Sequence, residues 1–132
     1  MSTQQSSIEN IFGEVITSYS REQALEDGVL VDGNQEELTE VSRQHFRYPI
    51  AMTYAVFAIM EKTVTAPRST CDFQGVWHDV CWMARSPLAR IVDPTTRLFT
   101  VKIGRKNHHM KVVCGPNDDG SPCLTVMLQE ES

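Results

Sequence analysis

The sequence predicts a mixed α+β domain in which buried helices pack on a C-terminal three-stranded antiparallel β-meander. Three observations carry this reading. From Leu98 onwards the runs "RLFTVKIGR", "HHMKVVCG" and "PCLTVMLQE" alternate apolar and polar residues, the period of a half-buried strand, whereas apolar spacing before that point is helical. The connector "GPNDDGSP" is the strongest hairpin signal in the chain, and "GRKN" supplies a second turn. A length of 132 residues, 41% hydrophobic and 22% charged, suits one core of ordinary composition, so a single domain over 1–132 is expected, with residues 1–7 disordered.

The elements follow in order. Ile8, Ile11, Phe12, Val15 and Ile16 are spaced as on a helix, with Gly13 inside it. Ser20 is a good N-cap with Gln23 three residues on, so a short helix runs from Arg21 to Glu26 and stops at Gly28. "VLVD" reads as a buried strand closed by a Gly33-Asn34 turn, and "QEELTEVSRQHF" as a short surface helix or turn with a thin apolar stripe of Leu38, Val41 and Phe46. Pro49 opens a helix that is apolar on nearly every side from Ile50 to Met60 and therefore reads as the central core element. "VTAPRSTCDF" is a connection. "GVWHDVCWMARSP" is a helix ended at Ser86-Pro87, because a residue before proline resists helical geometry. "LARIVD" and "PTTR" read as a further link. The inward face of the meander carries Phe99, Val101, Ile103, Val112, Cys114, Leu124, Val126 and Leu128, which would cover the helix around Tyr54 to Met60.

Within the second long helix, Val76, Trp77, Val80, Cys81 and Ala84 fall on one apolar face. His78, Trp82 and Arg85 fall on a neighbouring face, which is either the edge of the core or an exposed patch around a pocket. Cys81 lies one turn from His78 but on the core face, which argues against a cysteine nucleophile. The four cysteines are separated by 9, 32 and 8 residues, a pattern of neither a zinc site nor a redox pair, and read as free thiols. His108 and His109, consecutive on a strand, point to opposite faces, so only one of them could join a metal site with Asp118 or Asp119, and a solvated hairpin tip is the plainer reading. "GPNDDG" lacks the spaced oxygen ligands of a calcium loop, and no phosphate-binding glycine loop or nucleophile elbow occurs. No catalytic residue, metal or cofactor is read from the chain.

Charge is distributed unevenly. The chain carries net charge -5, but residues 1–66 hold ten acidic and four basic side chains, net -6, whereas residues 67–132 hold seven and eight, net +1. An acidic front repels phosphate and steers towards basic partners. Its candidate contacts are Glu22, Glu26, Asp27, Asp32, Glu36, Glu37 and Glu40. Arg97, Lys102, Arg105, Lys106 and Lys111 gather near the first hairpin, a weak footprint for direct DNA binding in an acidic protein. No apolar run reaches the length of a membrane span, and the N-terminus lacks a signal core, so a cytoplasmic protein is expected.

The motifs "IFGEVITSYSREQALEDGVLVD", "FRYPIAMTYAVF", "HDVCWMAR" and "VVCGPNDDGSPCLTVML" resemble a family of small uncharacterised proteins encoded by bacterial phages, plasmids and integrative elements. The likeness runs from Ile11 to Leu128 and departs between Thr63 and Phe73 and between Ser86 and Arg97. It implies no transferable activity but a setting, accessory cargo of mobile DNA in a bacterial cytoplasm, where small acidic proteins often inhibit host defence. The expected function is non-enzymatic binding of a host protein or nucleoprotein complex through the acidic surface, of anti-CRISPR or anti-restriction type. Two other readings stand beside it: a ligand or enzyme pocket near His78, Trp82 and Arg85, and a homodimer joined through the outer edge of the C-terminal sheet.

Overall fold

A computed structural model describes residues 20–131. Both the reading of residues 1–7 and the helix expected from Ile8 to Ile16 lie outside that range. The described elements are α1 (Arg21–Glu26), β1 (Leu30–Asp32), α2 (Thr39–His45), β2 (Ile50–Thr53), α3 (Tyr54–Val64), α4 (Phe73–Arg85), β3 (Arg90–Asp93), β4 (Thr96–Ile103), β5 (Lys106–Pro116) and β6 (Pro122–Leu128). Among the described residues, four helices and one sheet make the architecture mixed α+β.

The sheet has six strands in the order β1-β2-β6-β5-β4-β3, not the three of an isolated meander. Strands β4, β5 and β6 do pair consecutively and antiparallel, but β2 joins β6 in parallel, β1 joins β2, and β3 joins the far side of β4. Two segments account for the difference. The apolar run after Pro49 is not one helix: Ile50–Thr53 is strand β2, and helix α3 begins only at Tyr54. Ile50, Ala51 and Met52 are all buried, so the strand has no polar face, and an all-apolar run fits helix and interior strand equally well. Thr53 makes the switch, its hydroxyl accepting from Val56 N–H as the N-cap of α3. The second segment is "RIVD", read as a link. It forms strand β3, whose four residues are all exposed and therefore carry no alternation.

Helix α4 lies on the inner face of the sheet and buries Val76, Trp77, Val80, Cys81 and Ala84, the five residues of its predicted stripe. Opposite them stand Phe99, Val101, Ile103, Val112, Leu124 and Val126 as expected, together with Met110; Cys114 and Leu128 are half-buried. Helix α3 is more peripheral than its composition suggests. Val56 and Met60 are buried, while Tyr54, placed in the core by the sequence pattern, is exposed. Among the described residues no helix is long and apolar enough to cross a membrane.

Candidate functional site at the acidic sheet edge

Residues 22–42 contain seven carboxylates and no lysine or arginine. The fold spreads them over α1 (Glu22, Glu26, Asp27), the end of β1 (Asp32), the following turn (Glu36, Glu37) and the first turn of α2 (Glu40), and all seven are exposed. α1 packs on β1, one of the two outer strands of the sheet, the turn with Glu36 and Glu37 follows that strand, and α2 packs on α4.

The scaffold under these charges is rigidly tied. Ser20 caps α1 by accepting from Gln23 N–H at 3.0 Å, and the Gln23 side chain accepts from Ser20 N–H at 3.3 Å, the reciprocal capping box expected from the sequence. Asp118, in the turn between β5 and β6, reaches the same helix end. Its two carboxylate oxygens accept from Arg21 N–H at 2.8 Å and Glu22 N–H at 3.0 Å. The Arg21 guanidinium returns to β6, donating to Thr125 Oγ1 at 2.8 Å and the Leu124 carbonyl at 2.7 Å. One short helix is thus fixed to the distant hairpin by both backbone and side chain. Asp32 closes its own turn by accepting from Asn34 N–H at 2.8 Å, and Asn34 Oδ1 accepts from Ile50 N–H at 2.8 Å, tying the turn to β2. The Glu37 carbonyl accepts from Gln74 Nε2, which joins the acidic turn to α4. Glu22 and Asp32 flank an open cleft of about 470 Å³ that also meets Arg21, Arg43, Arg47 and Tyr48, so basic side chains border the acidic candidates here.

The aromatic candidates also converge. His78 and Trp82 stack with ring centroids 6.1 Å apart, and the Arg85 guanidinium lies 5.3 Å from the Trp82 ring centre. His45 of α2, absent from the sequence-derived set, completes the cluster: its ring meets His78 edge-on at 4.8 Å, and its Nδ1 accepts from Arg85 Nε at 2.9 Å. An accepting Nδ1 puts the proton of neutral His45 on Nε2, which is buried without a hydrogen-bond partner among the described residues. Burial first, then the His78 and Arg85 charges, hold His45 below the usual histidine pKa. The hollow beside Trp82 and Arg85 is about 100 Å³, bounded by Ser86 and Pro87 and without His78, which is small beside the roughly 300–1,000 Å³ of ligand pockets. Arg85 and His45 also border a cleft of about 440 Å³ towards Thr96, Arg97 and Leu124. Trp82 itself is 53% exposed.

Cys81 is buried, and burial pushes its thiol up to about 12, the opposite of an activated nucleophile. His108 and His109 face opposite sides of β5. His109 Nδ1 bonds Thr100 Oγ1 at 3.0 Å, while His108 lies in a groove of about 760 Å³ shared with Lys62, Arg68, Arg105 and Lys106. Lys62 comes from the last turn of α3 and Arg68 from the connection that follows it, and no sequence signal links them to the hairpin cations; only the packing of this region against the β4–β5 turn brings them together. Lys111 is engaged elsewhere, donating to the Glu131 carbonyl.

These features define a mixed α+β protein with one six-stranded sheet and opposite charge on separate parts of its surface. The chain belongs to a family of unknown function, DUF6573, whose model matches residues 8–74, half of the chain. The match includes all seven acidic candidates and ends in the first turn of α4, before His78, Trp82 and Arg85. No curated protein and no solved structure matches the chain.

Proposed function

We propose that the protein is a non-enzymatic binding protein whose acidic β1 edge docks on a basic surface of a host protein or nucleoprotein complex. The observation that supports this reading most is the unbroken set of seven exposed carboxylates from Glu22 to Glu40, displayed on elements held by Asp118, Arg21 and Asn34. Preorganised charge of one sign raises association rates with an opposite surface and makes them sensitive to salt. The sequence resemblance to proteins of phages and plasmids supports, as the partner, a bacterial defence complex of anti-CRISPR or anti-restriction type met in the cytoplasm. The same charge disfavours direct docking on DNA through this edge.

The test is capture of partners by the tagged protein from a bacterial host with intact defence systems, followed by binding kinetics with the recovered partner. Reversal of Glu26, Glu36 and Glu40 to lysine should slow association by about tenfold or more at low salt and flatten its salt dependence. A partner whose association rate is the same for both proteins would overturn the docking model.

A further inference from the structure

We propose that the β3 edge is a contact between two copies of this chain, with two β3 strands lying antiparallel about a twofold axis normal to the sheet. The two outer strands of the sheet are differently equipped. β1 is three residues long, with Val29 exposed just before it, and is bracketed by Asp27, Asp32, Glu36 and Glu37, charges of one sign that repel a second copy of the same edge. β3 exposes Ile91 at 65% and Val92 at 54%, and Leu88 just before it at 83%. Together they put exposed apolar side chains at an unpaired strand edge, a surface available to pair with another strand.

The order Arg90-Ile91-Val92-Asp93 identifies the occupant. Laid antiparallel against itself, this segment sets Arg90 against Asp93 of the second copy and repeats the pair by symmetry, with Ile91 and Val92 between. Face geometry decides whether such pairing can close. Directly opposed residues of antiparallel strands lie on one face, and a twofold normal to the sheet preserves faces, so Arg90 and Asp93 must share a face. In a regular strand, residues three apart do not. In β3 they do: Arg90 is opposite Leu98, Ile91 opposite Arg97 and Asp93 opposite Thr96, so the register slips at Val92 and returns Asp93 to the side of Arg90. Asp93 is also held in place, its Oδ1 accepting from Thr95 N–H at 2.8 Å and Thr95 Oγ1 at 2.7 Å.

Sedimentation of the full chain from about 1 to about 200 µM tests the contact, a range suited to a small interface. A reversible monomer–dimer equilibrium is expected. Arg90→Glu alone and Asp93→Lys alone each set like charges together twice and should weaken self-association by about tenfold or more. Mixing the two variants pairs Glu with Lys and Arg with Asp, so the mixture should recover the dimer as a heterodimer, which damage to the fold would not allow. A wild-type protein that stays monomeric throughout, dimers that persist in both single variants, or a mixture that stays monomeric would each overturn the proposal.

Discussion

Trp77 Nε1 donates a 2.8 Å hydrogen bond to Ser42 Oγ, and the Ser42 hydroxyl donates in turn to the Gly33 carbonyl, so one serine links α4, α2 and the turn after β1. Trp77 is fully buried and Ser42 nearly so. Inside the core each unpaired polar group costs its desolvation in full, so Ser42→Ala, which strands both the indole N–H and the Gly33 carbonyl, should destabilise the protein by about 2–4 kcal/mol. In a double-mutant cycle with Trp77→Phe the two changes should be non-additive; additive losses in chemical denaturation would show that the hydrogen bond carries little.

Gly33 shows why this junction tolerates no side chain. A Cβ there would meet the Ile50 carbonyl oxygen at 2.8 Å and Trp77 Cζ2 at 2.9 Å, whereas at Gly115 it would meet nothing within 4 Å. Gly33→Ala should therefore cost about 1–3 kcal/mol from forced displacement, with Gly115→Ala within about 0.5 kcal/mol of wild type. Equal midpoints for the two variants in denaturant would contradict the close packing.

What was legible in the sequence follows from the range of the signals. Helix α4 repeats its apolar spacing over 13 residues, and all five residues of the stripe are buried. Ser20 and Gln23 also signal locally, and their capping box forms. Ser42 carries no periodic signal, because its burial depends on Gly33 and Trp77, nine and 35 residues away. The β2–α3 boundary was hidden because both faces of Ile50–Met52 are buried, and β3 because neither face is. The acidic candidates were readable as a charge run. The meeting of Lys62 and Arg68 with Arg105 and Lys106 was not, since it depends on how the end of α3 and the connection after it pack beside the β4–β5 turn.

Asp118 should control the order of the acidic helix more than global stability. Its carboxylate takes two backbone N–H groups of the first turn of α1, a helix of only six residues. Asp118→Ala should raise hydrogen exchange across α1 by about tenfold while the amides of β4 and β5 stay protected, as expected when one cap is lost from a short helix. Unchanged exchange in α1 would mean that the Ser20 cap and the Arg21 side chain suffice.

The cysteines should separate cleanly by reactivity. Cys71 is exposed, Cys114 half-buried, and Cys81 and Cys123 are buried with their thiols pushed up, Cys81 by burial and Cys123 mainly by burial. Thiol-reactive labelling of the native protein, read by mass spectrometry of peptides, should mark Cys71 first and Cys81 only after unfolding. Early labelling of Cys81 would show that α4 opens away from the sheet.

His45 makes stability depend on pH in a defined direction. Its native pKa lies below the ordinary 6.5, chiefly through burial and then through His78 and Arg85, while the unfolded residue keeps the ordinary value. Above 6.5 both states are neutral and the contribution is fully present; as pH falls below 6.5 the unfolded chain takes up the proton first, and stability declines towards the native pKa. His108 shifts the same way, by burial and then the Lys106 and His109 charges, so it adds to the slope. Asp93 and Asp119 are lowered by bonds from Thr95 and Ser121, and their contributions fade only below the ordinary 3.8, outside this window. His45→Asn retains an acceptor for Arg85 Nε without a titrating ring and should flatten the slope between pH about 6.5 and about 5. An identical slope in His45→Asn would assign the effect to other groups, and a flat wild-type profile over that range would show that the native His45 protonates as readily as the unfolded one.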